Sequence, residues 1–256
     1  MGADKMVQKP AAMPLTPERS LARPAAAGLF DPAHERDACG VGFVAHMKGA
    51  ASHDIIAQGL EILVNLTHRG AVGADPLMGD GAGMLVQIPD RLLREECAAL
   101  GFELPPAGHY GVGHLFLPRD AEGQRVMREL WETVVAENGQ TLLGWRDVPV
   151  DNTDLGESVK PTEPHHMQVF VARSADCPDQ DVFERKLFVI RKRIFNTLLA
   201  EEGHVPEELY IPSFSSRTIV YKGMLLAAQV GQYYKDLTDP EMTTALALVH
   251  QRFSTN

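Results

Sequence analysis

The stretch Cys-Gly-Val-Gly-Phe-Val-Ala-His-Met at residues 39–47 is the first part of this chain that carries a regular pattern. Side chains alternate between the two faces of a β-strand, so the apolar residues at odd positions, beginning with Val41 and Phe43, share one face. The 38 residues before it hold many alanines and prolines, mixed charges and no apolar block. We therefore predict a flexible leader over residues 1–38 and one ordered domain over residues 39–256.

Composition argues against several classes of function. The 256 residues are 45% hydrophobic and 23% charged, which is typical of a globular protein. A net charge of −10 argues against a nucleic-acid partner, because binding to phosphates needs a basic surface. No apolar run approaches the roughly 18 residues that cross a bilayer, so no membrane partner is predicted. The three scattered cysteines favour neither a disulfide framework nor a metal site, and a reducing cytoplasm is the simplest compartment.

Periodicity predicts more strands than helices. Strands are predicted at 39–47, 84–88, 109–117, 141–149, 166–172, 208–221 (as one or two) and 245–252, and helices at 52–67, 91–100, 121–137, 180–200 and 224–234. The longest helix has an apolar stripe made of Phe183, Leu187, Ile190, Ile194 and Leu198. Ser52 is placed to cap the first helix and Gly101 to end the second. Strands often follow one another directly, which favours antiparallel sheets with helices packed outside them.

Cys39 is the strongest candidate for chemistry. It begins the first ordered strand, and small residues, Ala38 and Gly40, flank it, so that a substrate could approach closely. Cleavage after Ala38 would free an α-amino group with a pKa near 7.7–8.0, which can act as general base for its own thiol. A buried structural cysteine is the alternative that the residues alone leave open. Cys97, on the apolar face of its helix, is predicted to be a core residue, and Cys177 a loop thiol.

Five motifs, taken in order, resemble one family. They are Cys39-Gly-Val-Gly-Phe, His68-Arg69-Gly70-Ala71, Gly79-Asp80-Gly81-Ala82-Gly83, Tyr221-Lys222-Gly223-Met224 and His250-Gln251-Arg252-Phe253-Ser254-Thr255-Asn256. Over residues 36–256 the chain resembles the amino-terminal glutaminase domain of glutamate synthase large subunits. These domains are class II glutamine amidotransferases, which are N-terminal-nucleophile hydrolases. The resemblance implies an α+β fold, a four-layer αββα sandwich of two antiparallel sheets, truncated here at its C-terminal side.

The resemblance also implies roles for individual residues. Cys39 would attack the carboxamide carbon of L-glutamine and release ammonia from a thioester intermediate. Arg252 would bind the substrate α-carboxylate, for which a planar guanidinium offers paired donors. Two segments would shape the glutamine pocket: His68, Arg69 and Gly70, and Gly79, Asp80 and Gly81. The second segment lacks the lysine of a phosphate-binding GxxxxGK[ST] loop, so a tight loop beside the active site is favoured.

The resemblance implies further partners and cofactors outside this segment. Ammonia would pass to synthase domains of the same parent chain, which carry FMN and an iron–sulfur cluster beyond residue 256 and convert 2-oxoglutarate to glutamate. A small NAD(P)H-oxidising subunit is the second implied partner. Within residues 1–256 we predict no cofactor and no metal, since histidines such as His165 and His166 lack ligand spacing.

Two alternatives remain at this point. The family draws its oxyanion hole from an Asn-Gly pair, and a further acid for the substrate amine, both downstream of the HQRFSTN motif. A chain with the nucleophile but without those groups could be a truncated fragment that turns nothing over. The other alternative is an N-terminal-nucleophile hydrolase that cleaves a different amide, which would show no dependence on the substrate α-carboxylate.

Overall fold

The structure is a computed structural model that describes residues 40–73, 75–201 and 209–251, all within one compact unit, Cys39–Asn256. The strands are β1 (Gly40–Ala45), β2 (Ala82–Gln87), β3 (Tyr110–Leu117), β4 (Thr141–Asp147), β5 (His165–Ala172), β6 (Tyr210–Ser215), β7 (Thr218–Gly223) and β8 (Leu246–Gln251). The α-helices are α1 (His53–Asn65), α2 (Asp90–Ala99), α3 (Ala121–Glu137), α4 (Gln180–Glu201) and α5 (Gln229–Tyr233). Short 3-10 helices cover Thr67–Arg69, Lys160–Thr162 and Lys235–Thr238.

The strands form two four-stranded antiparallel sheets. The order is β1-β8-β2-β7 in the first sheet and β4-β5-β3-β6 in the second. Strands β6 and β7 follow one another after a two-residue turn and carry the chain from the second sheet into the first. The predicted α+β class with two antiparallel sheets is confirmed.

Helix α1 packs on one face of the first sheet. Ile56 and Leu63 are fully buried there. A Cβ atom at Gly59 would lie 2.9 Å from the Met84 side chain, so this helix approaches the sheet closely. Ser52 is the N-cap residue, as predicted, but its side chain makes no capping hydrogen bond. Instead its backbone N–H donates to the carbonyl of Thr244 at 3.0 Å, which ties the start of α1 to the segment before β8.

Helices α3 and α4 pack on the second sheet around a core of their own. The predicted stripe of α4 is confirmed, since every one of its five side chains is buried. A Cβ at Gly111 would lie 2.6 Å from Leu187, so β3 and α4 are in close contact. Helix α3 begins at Asp120, whose side chain accepts a hydrogen bond from the Gly123 N–H at 2.7 Å and so satisfies one unpaired donor of the first turn. None of the described helices is both long and apolar enough to cross a membrane.

The two sheets share a second apolar core and a buried ion pair. Arg146 on β4 donates to Asp236 through two hydrogen bonds, from Nη1 to Oδ2 at 2.9 Å and from Nη2 to Oδ1 at 2.8 Å. The Tyr221 hydroxyl on β7 donates to the same carboxylate at 2.8 Å, and Gln168 on β5 donates to the Tyr221 oxygen at 3.2 Å. Both charged side chains are at most 3% exposed. This polar cluster therefore links strands of both sheets within the core.

One prediction about the elements is wrong. The helix predicted over 224–234 is only the five residues of α5, because the Gln229 side chain holds the preceding turn by accepting from the Leu226 N–H and donating to the carbonyls of Leu77 and Asp154. Cys177 is in a loop as predicted, and it is 2% exposed and packs in the core beneath α3 and α4. Cys97 is a core residue as predicted, and burial raises the pKa of its thiol to about 12.

The other face of the first sheet is apolar and exposed over β1 and β8. Gly42 faces α1, since a Cβ there would lie 2.5 Å from Ile62. Its neighbours in β1 therefore point away from the helix. Val41 is 59% exposed and Phe43 69%, and Leu248, which pairs with Phe43, is 39% exposed. The face of β1 that was predicted to be apolar is therefore exposed, and no described element packs over it.

Candidate active site

Cys39 and Arg252, the two residues with predicted chemical roles, lie outside the described residues. Their neighbours in the chain are described and adjacent in space. Gly40 pairs with Gln251 between β1 and β8, and this is the last described pair of that ladder. A Cβ at Gly40 would lie 2.5 Å from the Gln251 carbonyl oxygen, so a larger residue would push the two strands apart.

Four of the five sequence motifs meet in one row across the first sheet. Gly40 pairs with Gln251, Gln251 with Ala82, and Ala82 with Gly223. These residues come from the first, fifth, third and fourth motifs in that order. Motifs that are far apart in the sequence are therefore side by side at one end of this sheet.

The remaining motif lies against the same end of the sheet. His68 and Arg69 belong to the 3-10 helix that follows α1, and Gly70 comes directly after it. A Cβ at Gly40 would lie 3.0 Å from the Arg69 Cβ, and one at Gly70 would overlap Nε2 of Gln251. The His68 ring is exposed and its Nδ1 is 3.0 Å from the Asn65 carbonyl oxygen. Arg69 and Gly70 thus adjoin the Gly40–Gln251 pair, whereas the His68 ring faces solvent.

The segment Gly79–Gly81 forms a tight loop that leads into β2. Gly79 is buried, and a Cβ there would overlap the Leu225 carbonyl oxygen. Gly81 has a φ of 122°, a conformation that side-chain-bearing residues rarely adopt. Asp80 is partly buried between these two glycines. The loop therefore packs against the backbone that follows β7, next to the row of paired motifs.

Two polar residues flank Gly83 on the exposed face of the sheet. Gly83 pairs with His250 on one side and Lys222 on the other. A Cβ at Gly83 would lie 2.7 Å from His250 Cε1 and 2.5 Å from Lys222 Cβ, so only glycine leaves room between these side chains. Burial, and secondarily the charge of Lys222, lowers the pKa of His250 below its ordinary value. The imidazole is therefore neutral at neutral pH.

Sequence reasoning gave no role to Gln251, which the structure places at the centre of the site. Its side chain is 2% exposed, extends beneath Gly70, and has an Oε1 atom that finds no hydrogen-bond partner among the described residues. The sequence signal that could have pointed to Gln251 was its position between His250 and Arg252 in the last motif.

Groups of three or more metal-ligating side chains do not occur in the described part of the chain.

The family model for class II glutamine amidotransferases matches residues 39–256. The chain belongs to the class II glutamine amidotransferases. It is 46% identical to the NADPH glutamate synthase large chain of Bacillus subtilis (strain 168) over 235 residues. The matched region covers 91% of this chain and 15% of that protein. The resemblance inferred from the motifs is confirmed.

Other relatives are glutamate synthases with different named electron donors. The chain is 40% identical over 240 residues to the NADH glutamate synthase of Schizosaccharomyces pombe, covering 92% of this chain and 11% of that protein. It is 40% identical over 222 residues to the ferredoxin-dependent glutamate synthase 2 of Synechocystis sp., covering 87% of this chain and 14% of that protein. The chain therefore spans only a small part of the length of these relatives.

Proposed function

We propose that this chain hydrolyses L-glutamine to glutamate and ammonia, with Cys39 as the nucleophile. The observation that carries the proposal is the convergence of all five motifs around the pairing of Gly40 with Gln251. Membership of the class II glutamine amidotransferases supports the same reaction. Each motif contributes a glycine or a polar side chain to that end of the sheet, which is a suitable surface for a small polar substrate.

Chain connectivity supports a joint role for Cys39 and Arg252. Directly opposed residues in an antiparallel ladder have Cα atoms about 4.5–5.5 Å apart, and successive Cα atoms are about 3.8 Å apart. Cys39 precedes Gly40 and Arg252 follows Gln251, so the Cα atoms of the two residues can be no more than about 13 Å apart. A glutamine molecule can span such a gap, with its carboxamide at the thiol and its α-carboxylate at the guanidinium.

The proposed reaction has two stages. After cleavage between Ala38 and Cys39, the free α-amine takes the thiol proton while sulfur adds to the carboxamide carbon. The amine then gives that proton to the leaving nitrogen, ammonia departs, and a thioester remains. Water hydrolyses the thioester, which releases glutamate and restores the thiol. Arg252 holds the α-carboxylate throughout, and the segments His68–Gly70 and Gly79–Gly81 shape the pocket.

The domain is proposed to serve a larger glutamate synthase. Ammonia would then reach synthase domains of the same parent chain, where FMN and an iron–sulfur cluster support the conversion of 2-oxoglutarate to glutamate. The named electron donors of the relatives, NADPH, NADH and ferredoxin, support a reductive step of this kind. A small NAD(P)H-oxidising subunit and a cytoplasmic location complete the proposal.

The substitution Cys39→Ser in the complete parent protein tests the assignment. Serine keeps the size of the side chain, but its hydroxyl has a far higher pKa than a thiol, so almost no anion forms near neutral pH. Glutamine-dependent glutamate synthesis should be lost, while synthesis from added ammonia continues at close to its normal rate. Both rates are measured on the same preparation. Continued glutamine turnover in the variant would show that another group is the nucleophile.

A further inference from the structure

A cavity of about 230 Å³ lies at the end of β7, next to the turn that leads to α5. A cavity of about 150 Å³ lined by apolar side chains can hold benzene, so this one has room for a ring with a small substituent. Its wall includes five rings and one carboxylate, those of Phe116, His166, Tyr210, Tyr233, Tyr234 and Glu163. We call this cavity the aromatic pocket.

Glu163 brings a buried negative charge to the aromatic pocket. The residue is 9% exposed. Its Oε1 accepts from the Tyr233 hydroxyl at 2.7 Å and its Oε2 from Asn152 Nδ2 at 2.9 Å, both neutral donors. Among the described residues no cationic side chain forms an ion pair with it. Each carboxylate oxygen can accept a further hydrogen bond, so the group is able to bind a cation.

The hydroxyl protons of Tyr233, Tyr234 and Thr162 in the wall are already used within the protein. Tyr233 donates to Glu163, Tyr234 donates to the Lys222 carbonyl at 2.7 Å, and Thr162 donates to the Val159 carbonyl at 3.0 Å. The pocket therefore offers a ligand many acceptors and ring faces but few donors.

His166 is a further acceptor. Its Nδ1 lies 3.4 Å from the Tyr234 hydroxyl, and because that hydroxyl donates to a carbonyl, it can only accept from Nδ1–H. The other ring nitrogen, Nε2, then carries a lone pair. Burial lowers the pKa of His166 to about 2, so the ring is neutral at neutral pH.

Lys222 places an opposing charge at the rim. Its Nζ lies 4.4 Å from the centre of the Tyr210 ring and donates to the Tyr210 hydroxyl at 2.6 Å. Tyr210 is 42% exposed, so the ammonium bound to its hydroxyl lies near solvent, which screens its charge. The buried carboxylate of Glu163 acts through a lower dielectric and therefore has the stronger effect on a ligand within the pocket.

We propose that the aromatic pocket binds a small planar organic cation of the amidinium or guanidinium class. The N–H groups of such a cation match the acceptors of Glu163 and His166. Its flat charged face is attracted to the aromatic rings. The aromatic pocket adjoins the row of paired motifs at Gly223, which lines the pocket, but the binding proposed here does not depend on glutamine turnover.

Benzamidine, a planar cation, and benzamide, its neutral counterpart of nearly the same shape, test the proposal by isothermal titration calorimetry on the complete protein. Benzamidine should bind at least about tenfold more tightly than benzamide. A hydrogen bond to a charged group contributes more free energy than one between neutral groups, and the difference corresponds to about tenfold in affinity. Glu163→Gln should weaken benzamidine binding about tenfold or more. Lys222→Met should strengthen it, since the rim charge is removed. Glu157→Gln, at a nearby exposed carboxylate, should change nothing.

Met224→Trp provides a test that does not disturb the buried carboxylate. Met224 lines the pocket and is 48% exposed, so a larger side chain there can fill the opening without repacking the core. Benzamidine binding should disappear in this variant while the melting temperature stays unchanged. Equal affinity for benzamidine and benzamide, no binding of either, or binding unaffected by Glu163→Gln and Met224→Trp would each overturn the proposal.

Discussion

Gly70 shows how a single residue can matter at the site without offering any chemical group. A Cβ there would overlap the amide of Gln251, which lies beside the first paired residue of β1. Gly70→Ala should therefore displace Gln251 and lower stability by about 1–3 kcal/mol, together with glutamine turnover. Gly73→Ala is the matched control, because its added methyl would meet only the flexible side chain of Met78 at 3.4 Å. Chemical denaturation compares the two variants, and equal stability would contradict the close contact.

Arg252 is the residue at which substrate binding can be separated from catalysis. In the complete protein, Arg252→Lys should raise the KM for glutamine by about ten- to a hundredfold, because a paired charged contact contributes on the order of 1.5–3 kcal/mol. The kcat at saturating glutamine should change less. Steady-state kinetics with glutamine and with added ammonia would check this, the second substrate serving as the control. A KM close to that of the unchanged protein would mean that Arg252 does not contact the carboxylate.

At the scale of single residues, sequence reasoning was reliable only where a residue lies on a strongly periodic element. Cys97 is on an amphipathic helix and its burial was predicted correctly. Cys177 is in a loop as predicted, but a loop has no period that shows which side chains turn inward, so its burial was not predicted. The roles of Cys39 and Arg252 rest on motif resemblance and stay predictions. Gln251 was missed because its position beneath Gly70 depends on a contact between distant parts of the chain.

The ion pair between Arg146 and Asp236 connects elements that otherwise meet mainly through apolar contacts. Asp236→Asn keeps the shape of the side chain but removes the buried counter-charge of Arg146, which is left with only the half-exposed carboxylate of Glu96 at 3.1 Å. The free energy of unfolding should fall by about 3–5 kcal/mol. Glu122→Gln, at the exposed ion pair with Arg125, is the control and should leave the unfolding midpoint almost unchanged. Urea denaturation measures both, and equal midpoints would mean that the buried pair contributes little.

Elements with a long apolar period were predicted to within a few residues, as α3 and α4 show. The helix predicted over 224–234 was too long because Gln229 binds three backbone groups, one in the preceding turn and two in distant loops. Such tertiary hydrogen bonds have no local sequence pattern. Ser52 is a similar case, since backbone hydrogen bonds tie it to the distant Thr244 and its side chain makes no capping hydrogen bond.

For the molecule as a whole, the α+β class could be predicted, but the membership of each sheet could not. Consecutive strands β6 and β7 belong to different sheets, whereas β1 and β8, the first and last described strands, are neighbours. Strand patterns indicate which faces are apolar and say nothing about partners so far apart. The arrangement as two sheets in a sandwich came from the resemblance to a family, and the family match covers residues 39–256.

The position of β1 at the edge of the first sheet has a consequence for its motion. In the described residues β1 is paired only with β8, whereas β8 is held on both sides by β1 and β2. Alternate amides of β1 therefore lack a ladder partner, and opening this strand breaks fewer bonds than opening β8. In deuterium exchange followed by mass spectrometry, peptides from β1 should take up label well before those from β8. Equal protection would mean that another segment covers this edge. Otherwise the strand next to the proposed nucleophile opens before the strand that pairs with it.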